Sequence, residues 1–154
     1  MGRFSREEIA EAFARYQEVA ATAGRTGDWN PWADLFTPDA TYVEHLYGEF
    51  HGREAIRAWI TRTMAEPPGS QMPEFPIEWW LIDEDRDRVV CWVWNRMEDP
   101  GDGSIHQEGN ITLLDYAGDG LWSREEDVYN PARFVPMLER WQAARDAAMA
   151  GRED

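Results

Sequence analysis

Apolar residues near the start of the chain recur with the spacing of a helix. Ser5 and Glu8 form a capping-box pattern, which predicts that a helix begins at this point. We expect this helix to end near Gly24. Its apolar positions repeat every three or four residues, at Ile9, Phe13, Tyr16 and Ala20. The first segment is therefore predicted to be an amphipathic helix with one face turned to the core.

Two further helices and one strand are predicted in the next part of the chain. Asn30 and Pro31 suit the cap and first turn of a short helix, which residues 37–39 end. A run of β-branched and aromatic residues predicts a strand over 40–47. A third helix is predicted over 53–65. Its apolar positions are Ile56, Trp59, Ile60 and Met64.

The second half of the chain has the pattern of a β-meander followed by a helix. Short turns join four strand-like segments, which are 77–82, 89–96, 105–116 and 121–129. Asn130 and Pro131 then introduce a last helix. It carries the apolar residues Phe134, Met137, Leu138 and Trp141. Together these elements predict one α+β domain over residues 1–154, with three N-terminal helices packed on an antiparallel sheet and a C-terminal helix.

Two of the predicted strands are apolar at successive positions instead of alternating. Residues 79–82 and 89–94 contain no charged or amide side chain. A strand with one wet face alternates, so both faces of these strands should be covered. The helices can cover one face, and a homodimer through the sheet would cover the other. The alternative is a C-terminal helix that folds over that face.

Composition restricts the classes of partner. Thirty acidic residues against fifteen basic ones give a formal charge of −15, which disfavours nucleic acid and anionic membranes. Nine Trp residues indicate a large core, a lined cavity or an interface. Cys91 is the single cysteine, so an internal disulfide framework is excluded.

The sequence gives no reason to expect a cofactor, a metal ion or a targeting signal. His and carboxylate residues lack the spacing of a metal site, and no Gly-rich phosphate loop is present. The N-terminus leads into the first helix without a secretory apolar region, and no apolar run approaches the roughly 20 residues of a membrane span. We therefore expect a cytoplasmic protein that uses no cofactor.

Three stretches of the sequence resemble the nuclear transport factor 2-like superfamily. They are a helix-to-strand passage over 27–42, the start of the third helix over 52–56, and a final hairpin over 116–131 that is similar to SnoaL-like proteins. The resemblance implies a cone-shaped α+β fold with a pocket for an apolar small molecule. This fold hosts isomerases, cyclases, dehydratases, epoxide hydrolases and non-catalytic binders, so it implies no single activity.

The ketosteroid isomerase pattern of this superfamily implies three site residues. Its helix-one tyrosine follows an arginine, as Tyr16 does here. Its base is an acid four residues after the alanine of an Asp-Ala-Thr triplet, a place held by Glu44. Its second oxyanion donor corresponds to Asn110. Glu and Asn thus replace two aspartates, and the resemblance implies Glu44 as base with Tyr16 and Asn110 as donors to a carbonyl oxygen.

Each of these residues also has a purely structural interpretation. Tyr16 could be packed in the core, Glu44 could face water or an interface, and Asn110 could satisfy a backbone group. The secondary pocket candidates are Tyr42, Trp94, His106 and Glu126. Of these, His106 would be the base of a dehydratase-like site. Because Glu126 and Asp127 alternate on one strand, one of the two should point inward.

These observations predict a SnoaL-like enzyme of the isomerase or cyclase type that moves a proton on a steroid- or polyketide-like substrate. The alternative is a non-catalytic dimeric module of the same fold that binds an apolar ligand. An epoxide hydrolase would need an Asp–Arg–Asp cluster that the sequence does not place. A buried acid close to two donors would favour the enzyme, and a wholly apolar cavity would favour the binder.

Overall fold

The computed structural model describes residues 1–153, which form four α-helices and one curved six-stranded sheet. The helices are α1 (Arg6–Thr26), α2 (Asn30–Ala33), α3 (Arg53–Thr63) and α4 (Phe134–Glu153). The strands are β1 (Phe36–Glu44), β2 (Gly48–His51), β3 (Ile77–Asp83), β4 (Arg88–Arg96), β5 (Gln107–Gly118) and β6 (Leu121–Val128). The predicted α+β architecture, with three helices before the meander and one after it, is confirmed.

The strands follow the order β2-β1-β6-β5-β4-β3 across the sheet. Strands β3 to β6 form the predicted antiparallel meander. Strand β6, however, lies beside β1 and runs parallel to it, so the sheet is mixed and not wholly antiparallel. The pairing arises because the chain crosses over through α3 to the far edge and then returns one strand at a time to β1.

Two predicted boundaries around β1 were wrong. The strand begins at Phe36, because residues 37–39 continue it instead of only ending α2. The predicted strand over 40–47 stops at Glu44, and the short edge strand β2 was missed. Only Phe50 of β2 is even partly buried, so these four residues carry no alternating apolar pattern.

Helix α1 begins as predicted and ends at Thr26, two residues beyond the expected Gly24. The Ser5 hydroxyl accepts a hydrogen bond from the Glu8 amide at 3.1 Å, which confirms the N-cap. The left-handed C-cap is Gly27, with φ of 78°. Gly24 lies inside the helix, where a Cβ atom would be 1.9 Å from the carbonyl oxygen of Pro73. This glycine therefore permits close packing of a loop against α1.

Helices α1, α2 and α3 pack against the inner face of the sheet. Buried residues of β4 alternate there, and they are Val89, Cys91 and Val93. The largest fully buried side chains of this core include Trp122, Phe13, Phe36 and Ile56. Each large apolar side chain buried in this way contributes about 1.5–3 kcal/mol to stability.

The opposite side of the sheet carries an outer apolar face. Pairing of β3, β4 and β5 places seven apolar residues on it: Trp79, Leu81, Val90, Trp92, Trp94, Ile111 and Leu113. Trp79 and Leu81 are 40% and 50% exposed. Helix α4 does not cover this face, because its buried residues Met137 and Trp141 pack with Met97 in a separate cluster. Among residues 1–153, no helix has the length and apolar character needed to cross a membrane.

Candidate functional site

A cavity of about 860 Å³ lies between the inner face of the sheet and the helices. This volume is within the usual range for a small-molecule site. Most of its wall is aromatic or aliphatic. The aromatic lining residues are Tyr16, Trp29, Trp32, Tyr42, Tyr47, Trp59, Phe75, Tyr129 and Phe134. The cavity therefore suits an apolar molecule.

An extra residue in β6 determines which acidic side chains enter the cavity. Tyr116 of β5 pairs with Trp122, but the next residue back, Asp115, pairs with Arg124. Ser123 is the extra residue, and it reverses the alternation of side chains beyond it. As a result Glu125 points inward with Trp122, and Asp127 follows it on the same side.

Glu125 is the most deeply buried acid of the cavity wall, with 2% of its surface exposed. The Tyr16 hydroxyl lies 3.0 Å from both of its carboxyl oxygens, and the Tyr42 hydroxyl lies 3.0 Å from Oε1. In the described part of the chain, Glu125 forms no ion pair with a Lys, Arg or His. Burial, and then the charge of Asp127, raise the pKa of Glu125 well above its usual value.

Asp127 forms a carboxyl pair with Glu125. The Tyr42 hydroxyl makes a very short hydrogen bond to Oδ2, and the Thr112 hydroxyl donates to Oδ1 at 2.7 Å. Burial raises the pKa of Asp127, while these two donors oppose that rise. The pKa values of Tyr16 and Tyr42 are also raised well above normal, chiefly by burial and then by the charges of the pair. Both tyrosines are therefore protonated donors at neutral pH.

Glu44, the base implied by the family resemblance, lies on the cavity wall and is 5% exposed. Its two carboxyl oxygens accept hydrogen bonds from the backbone amides of Leu46 and Tyr47, at 3.2 and 3.1 Å. Tyr129 stands beside it, and burial followed by the hydrogen bond to Glu44 raises the pKa of Tyr129. Glu44 thus reaches the cavity while also organising the turn after β1.

Asn110 also lies on the cavity wall, 6% exposed, but its amide is engaged by neighbours. Its Nδ2 donates to the Thr112 hydroxyl at 2.9 Å. Its Oδ1 accepts from Asn95 Nδ2 at 2.7 Å. The structure therefore brings Tyr16, Glu44 and Asn110 to one cavity, with the Asn110 oxygen bonded to Asn95 and its nitrogen bonded to Thr112.

Of the secondary candidates, Tyr42 lines the cavity and the other three do not. Trp94 packs on Trp92 in the outer apolar face, because it alternates with inward-pointing neighbours. His106 precedes β5 and bonds the Ser104 hydroxyl at 2.8 Å. Glu126 points outward because of the extra residue in β6. The pocket positions expected for Trp94, His106 and Glu126 were wrong.

The outward side of β6 forms a separate polar cluster. Glu126 bonds His45 at 2.9 Å and Arg124 at 3.0 Å. The hydrogen bond from His45, and then that from Arg124, lower the pKa of Glu126. His45 therefore points away from Glu44, as alternation along a strand predicts. Glu126 has a structural partner on the far side of the sheet from the cavity.

Glu125 was not predicted as a site residue. For Asp127, the sequence indicated only that either it or Glu126 should point inward. The available signal was a run of three acids, residues 125–127, in a strand that also carries a buried tryptophan, Trp122. At least one acid of such a run must face the core. Within residues 1–153, no three His, Cys, Asp or Glu side chains converge in an arrangement that would hold a metal ion.

Comparisons with known proteins agree with this architecture. A family model described as SnoaL-like domain matches residues 6–124. No curated protein matches the chain.

Several solved structures have the same fold. A proposed isomerase from Bacillus subtilis is 15% identical, with a TM-score of 0.64, over 90% of this chain and 94% of that one. A proposed SnoaL-like polyketide cyclase from Jannaschia sp. CCS1 is 17% identical, with a TM-score of 0.61, over 88% and 95%. A protein with a ketosteroid isomerase-like fold from Catenulispora acidiphila DSM 44928 is 25% identical, with a TM-score of 0.57, over 82% and 88%.

Proposed function

Since the chain belongs to the SnoaL-like domain family, we propose that it is an enzyme that transfers protons on an apolar small molecule held in the cavity. The observation that carries this proposal is the carboxyl pair Glu125–Asp127, with the hydroxyls of Tyr16 and Tyr42 at hydrogen-bond distance. All four side chains line the same cavity. Buried acids and donors that meet at one point of an apolar pocket are the usual equipment of acid–base catalysis.

The energetic cost of this cluster supports a catalytic role. Removing a carboxyl group from water without a cationic partner is unfavourable, and the pair places two such groups side by side. A cavity that only held an apolar ligand would be more stable with apolar side chains at both positions. Groups that are costly to bury and have perturbed pKa values are concentrated at functional sites.

The proposed reaction begins with removal of a proton from a carbon next to a carbonyl group. The ionised carboxyl of the pair accepts this proton, and a tyrosine hydroxyl donates a hydrogen bond to the developing oxyanion. Both carboxyls of the pair are then protonated, and one of them gives a proton to another carbon of the substrate. The pair again holds a single proton, so the substrate is isomerised with no net change in protons. Glu44 is a second candidate for the base, because it lies on the same cavity wall and its charge acts on Asp127.

The cavity wall favours a neutral or cationic substrate. Five acidic side chains and one basic side chain line it. The basic one is Arg25, and the acidic ones are Glu18, Glu44, Glu74, Glu125 and Asp127. A carboxylate or phosphate ligand would be repelled by this excess of negative charge. The similar fold of a proposed polyketide cyclase supports a fused-ring or polyketide-like skeleton for the substrate.

The second candidate function is a non-catalytic module that binds an apolar ligand. One specific observation favours it: the carboxyl pair and both tyrosines form a continuous hydrogen-bonded network, which Thr112 extends from Asp127 to Asn110. In this case the network would only hold the cavity open, and the protein would bind a substrate-like molecule without exchanging its protons.

Proton exchange in heavy water distinguishes the two functions. The protein is incubated with apolar ketones, among them a Δ5-3-ketosteroid, and deuterium uptake is followed by mass spectrometry. We expect uptake with the wild type and a loss of about 10²–10⁴-fold in Glu125→Gln or Asp127→Asn. Glu126→Gln, on the same strand but facing outward, is the matched control and should keep the wild-type rate.

Deuterium uptake by ketones that demonstrably bind the protein decides between the enzyme and the binding module. Ketones that raise the melting temperature of the wild type but take up no deuterium would support the binding module and contradict the enzyme. If only Glu44→Gln lost deuterium uptake, while Glu125→Gln and Asp127→Asn stayed active, Glu44 would be the base.

We also propose that two copies of the chain pair through the outer apolar face. Trp79 and Leu81 leave apolar surface exposed next to Trp92 and Ile111, and a second copy would present the same surface. Leu81→Lys should convert the dimer to a monomer in analytical ultracentrifugation. Leu46→Lys is the control, because Leu46 is also exposed and lies in the turn after β1, away from this face. A monomeric wild type at micromolar concentration would contradict the pairing.

A further inference from the structure

A chain of hydrogen bonds connects Asp127 to the backbone of β5. Asn95 Nδ2 lies 3.1 Å from the carbonyl oxygen of Glu108 and 2.7 Å from Asn110 Oδ1. Asn110 Nδ2 lies 2.9 Å from Thr112 Oγ1. Thr112 Oγ1 in turn lies 2.7 Å from Asp127 Oδ1. These contacts run along one side of the carboxyl pair, opposite the tyrosines.

The carbonyl group of Glu108 gives this chain a single direction. A backbone carbonyl can only accept, so the atom of Asn95 that faces it must be the amide nitrogen. Asn95 therefore also donates to Asn110, which must present its oxygen there and turn its nitrogen toward Thr112. The Thr112 hydroxyl accepts that bond, and its one proton remains for Asp127. From this side, Asp127 always receives a donated hydrogen.

The Tyr42 hydroxyl lies between the two carboxyl groups and has one proton to give. It is in reach of Glu125 Oε1 and of Asp127 Oδ2. If Glu125 carries the proton of the pair, its hydroxyl can donate to the Tyr42 oxygen, and Tyr42 can donate to Asp127. Asp127 is then an anion with two donors. With the proton on Asp127 Oδ2 instead, the Thr112 hydroxyl, 2.7 Å from Oδ1, would donate to a neutral acid, and the Glu125 anion would gain the longer contacts of Tyr16, at 3.0 Å from both of its oxygens. Hydrogen bonds to a carboxylate are strongest when they are short, so the closer donors favour the anion on Asp127.

We infer that Asn95, Asn110 and Thr112 are positioning residues that assign the shared proton of the carboxyl pair to Glu125 and leave Asp127 ionised. The use of this asymmetry in catalysis rests on the proposed function, in which Asp127 becomes the base and Glu125 the acid. Asn110 then acts through Thr112 and Asp127, and does not touch the substrate oxygen.

The other ionisable groups around the pair are compatible with this assignment. They are Tyr16 from α1, Tyr42 and Glu44 from β1, Cys91 from β4, and Tyr129 after β6. The tyrosines and the cysteine are neutral at physiological pH, because burial raises the pKa of each. The charge of Glu44 raises the pKa of Asp127. Its effect is smaller than that of the hydrogen bonds from Tyr42 and Thr112, which lower this pKa.

The inference is tested by titrating the side-chain carboxyl carbons by ¹³C NMR in the resting protein. Glu125→Gln and Asp127→Asn identify the two resonances. Glu125 should keep its proton to a higher pH than Asp127 in the wild type. Thr112→Val removes the hydroxyl without changing the shape of the side chain, and should raise the midpoint of Asp127 by about one pH unit, a tenfold change in the proton equilibrium. Thr112→Ser, which keeps the hydroxyl, should restore the wild-type midpoint.

A second variant tests the chain from its far end. Asn95→Ala removes the anchor of the Asn110 amide without touching the pair, and should raise the Asp127 midpoint by a smaller amount. This variant decides the matter alone if Thr112→Val does not fold by circular dichroism. An unchanged Asp127 midpoint, or a Ser variant that behaves like the Val variant, would overturn the inference.

The titration also separates this inference from the proposed function. Midpoints that move as expected in a protein that exchanges no substrate protons would leave the inference intact and refute the enzyme. Fixed midpoints in an active enzyme would do the reverse.

Discussion

Replacing Glu125 by Gln should change how the stability of the protein depends on pH. Burial, and then the charge of Asp127, raise the pKa of Glu125 in the folded protein. The carboxyl of an unfolded Glu has a pKa of about 4.3. Between these two values the folded protein therefore binds more protons than the unfolded chain. The stability that this group contributes is complete below the unfolded value and is lost as the pH rises toward the folded pKa.

The size of the effect follows from the isolation of the carboxyl group. Glu125 is 2% exposed, and its hydrogen-bond partners are the neutral hydroxyls of Tyr16 and Tyr42. One proton bound only in the folded state changes the free energy of unfolding by at most about 1.4 kcal/mol per pH unit. Gln has nearly the same shape and does not titrate. The stability of the wild type relative to Glu125→Gln should therefore fall steadily from pH 5 upward.

Urea denaturation of both proteins at pH 5, 6, 7 and 8 measures this difference, with the slope of each transition checked for constancy. Asp83→Asn is the control, because the hydrogen bond from Arg86 lowers the pKa of Asp83 and its contribution is lost only at acid pH. Its difference from the wild type should be flat over the same range. Parallel curves for the wild type and Glu125→Gln would refute the reasoning, as would a wild type that gains relative stability on going from pH 5 to 8.

Three further predictions concern other parts of the molecule. The Cys91 thiol should resist disulfide reagents in the native protein and react on unfolding, because burial raises its pKa; rapid native labelling would contradict this. Asp87→Ala should lower the free energy of unfolding, measured by urea denaturation, by about 1–3 kcal/mol, because the buried Asp87 carboxyl accepts hydrogen bonds from the amides of Arg3 and Phe4. Asp85→Ala, at an exposed position, should lower it little, and equal effects of the two substitutions would contradict this explanation. A tricyclic alcohol should raise the melting temperature more than the carboxylic acid of the same skeleton, and an equal shift would show that the charge of the cavity wall does not select ligands.

Local chemistry explains what could be predicted from the sequence. The start of α1 depends on Ser5 and Glu8, which are three residues apart. The four strands of the meander depend on runs of apolar residues between short turns, and these also lie close together in sequence. The family resemblance supplied the cone-shaped fold and the positions of Tyr16, Glu44 and Asn110.

The tertiary structure alone decided the centre of the candidate site. Ser123 reverses the alternation of β6 only because β5 pairs with residues on either side of it, and nothing in the local sequence marks that position. This reversal brings Glu125 inward and turns Glu126 out. The hydrogen bonds of Tyr16 and Tyr42 to Glu125 span 109 and 83 residues, so they exist only once helices and sheet have closed on each other. A sequence determines side-chain direction along one strand, but the phase between strands depends on the register of their pairing.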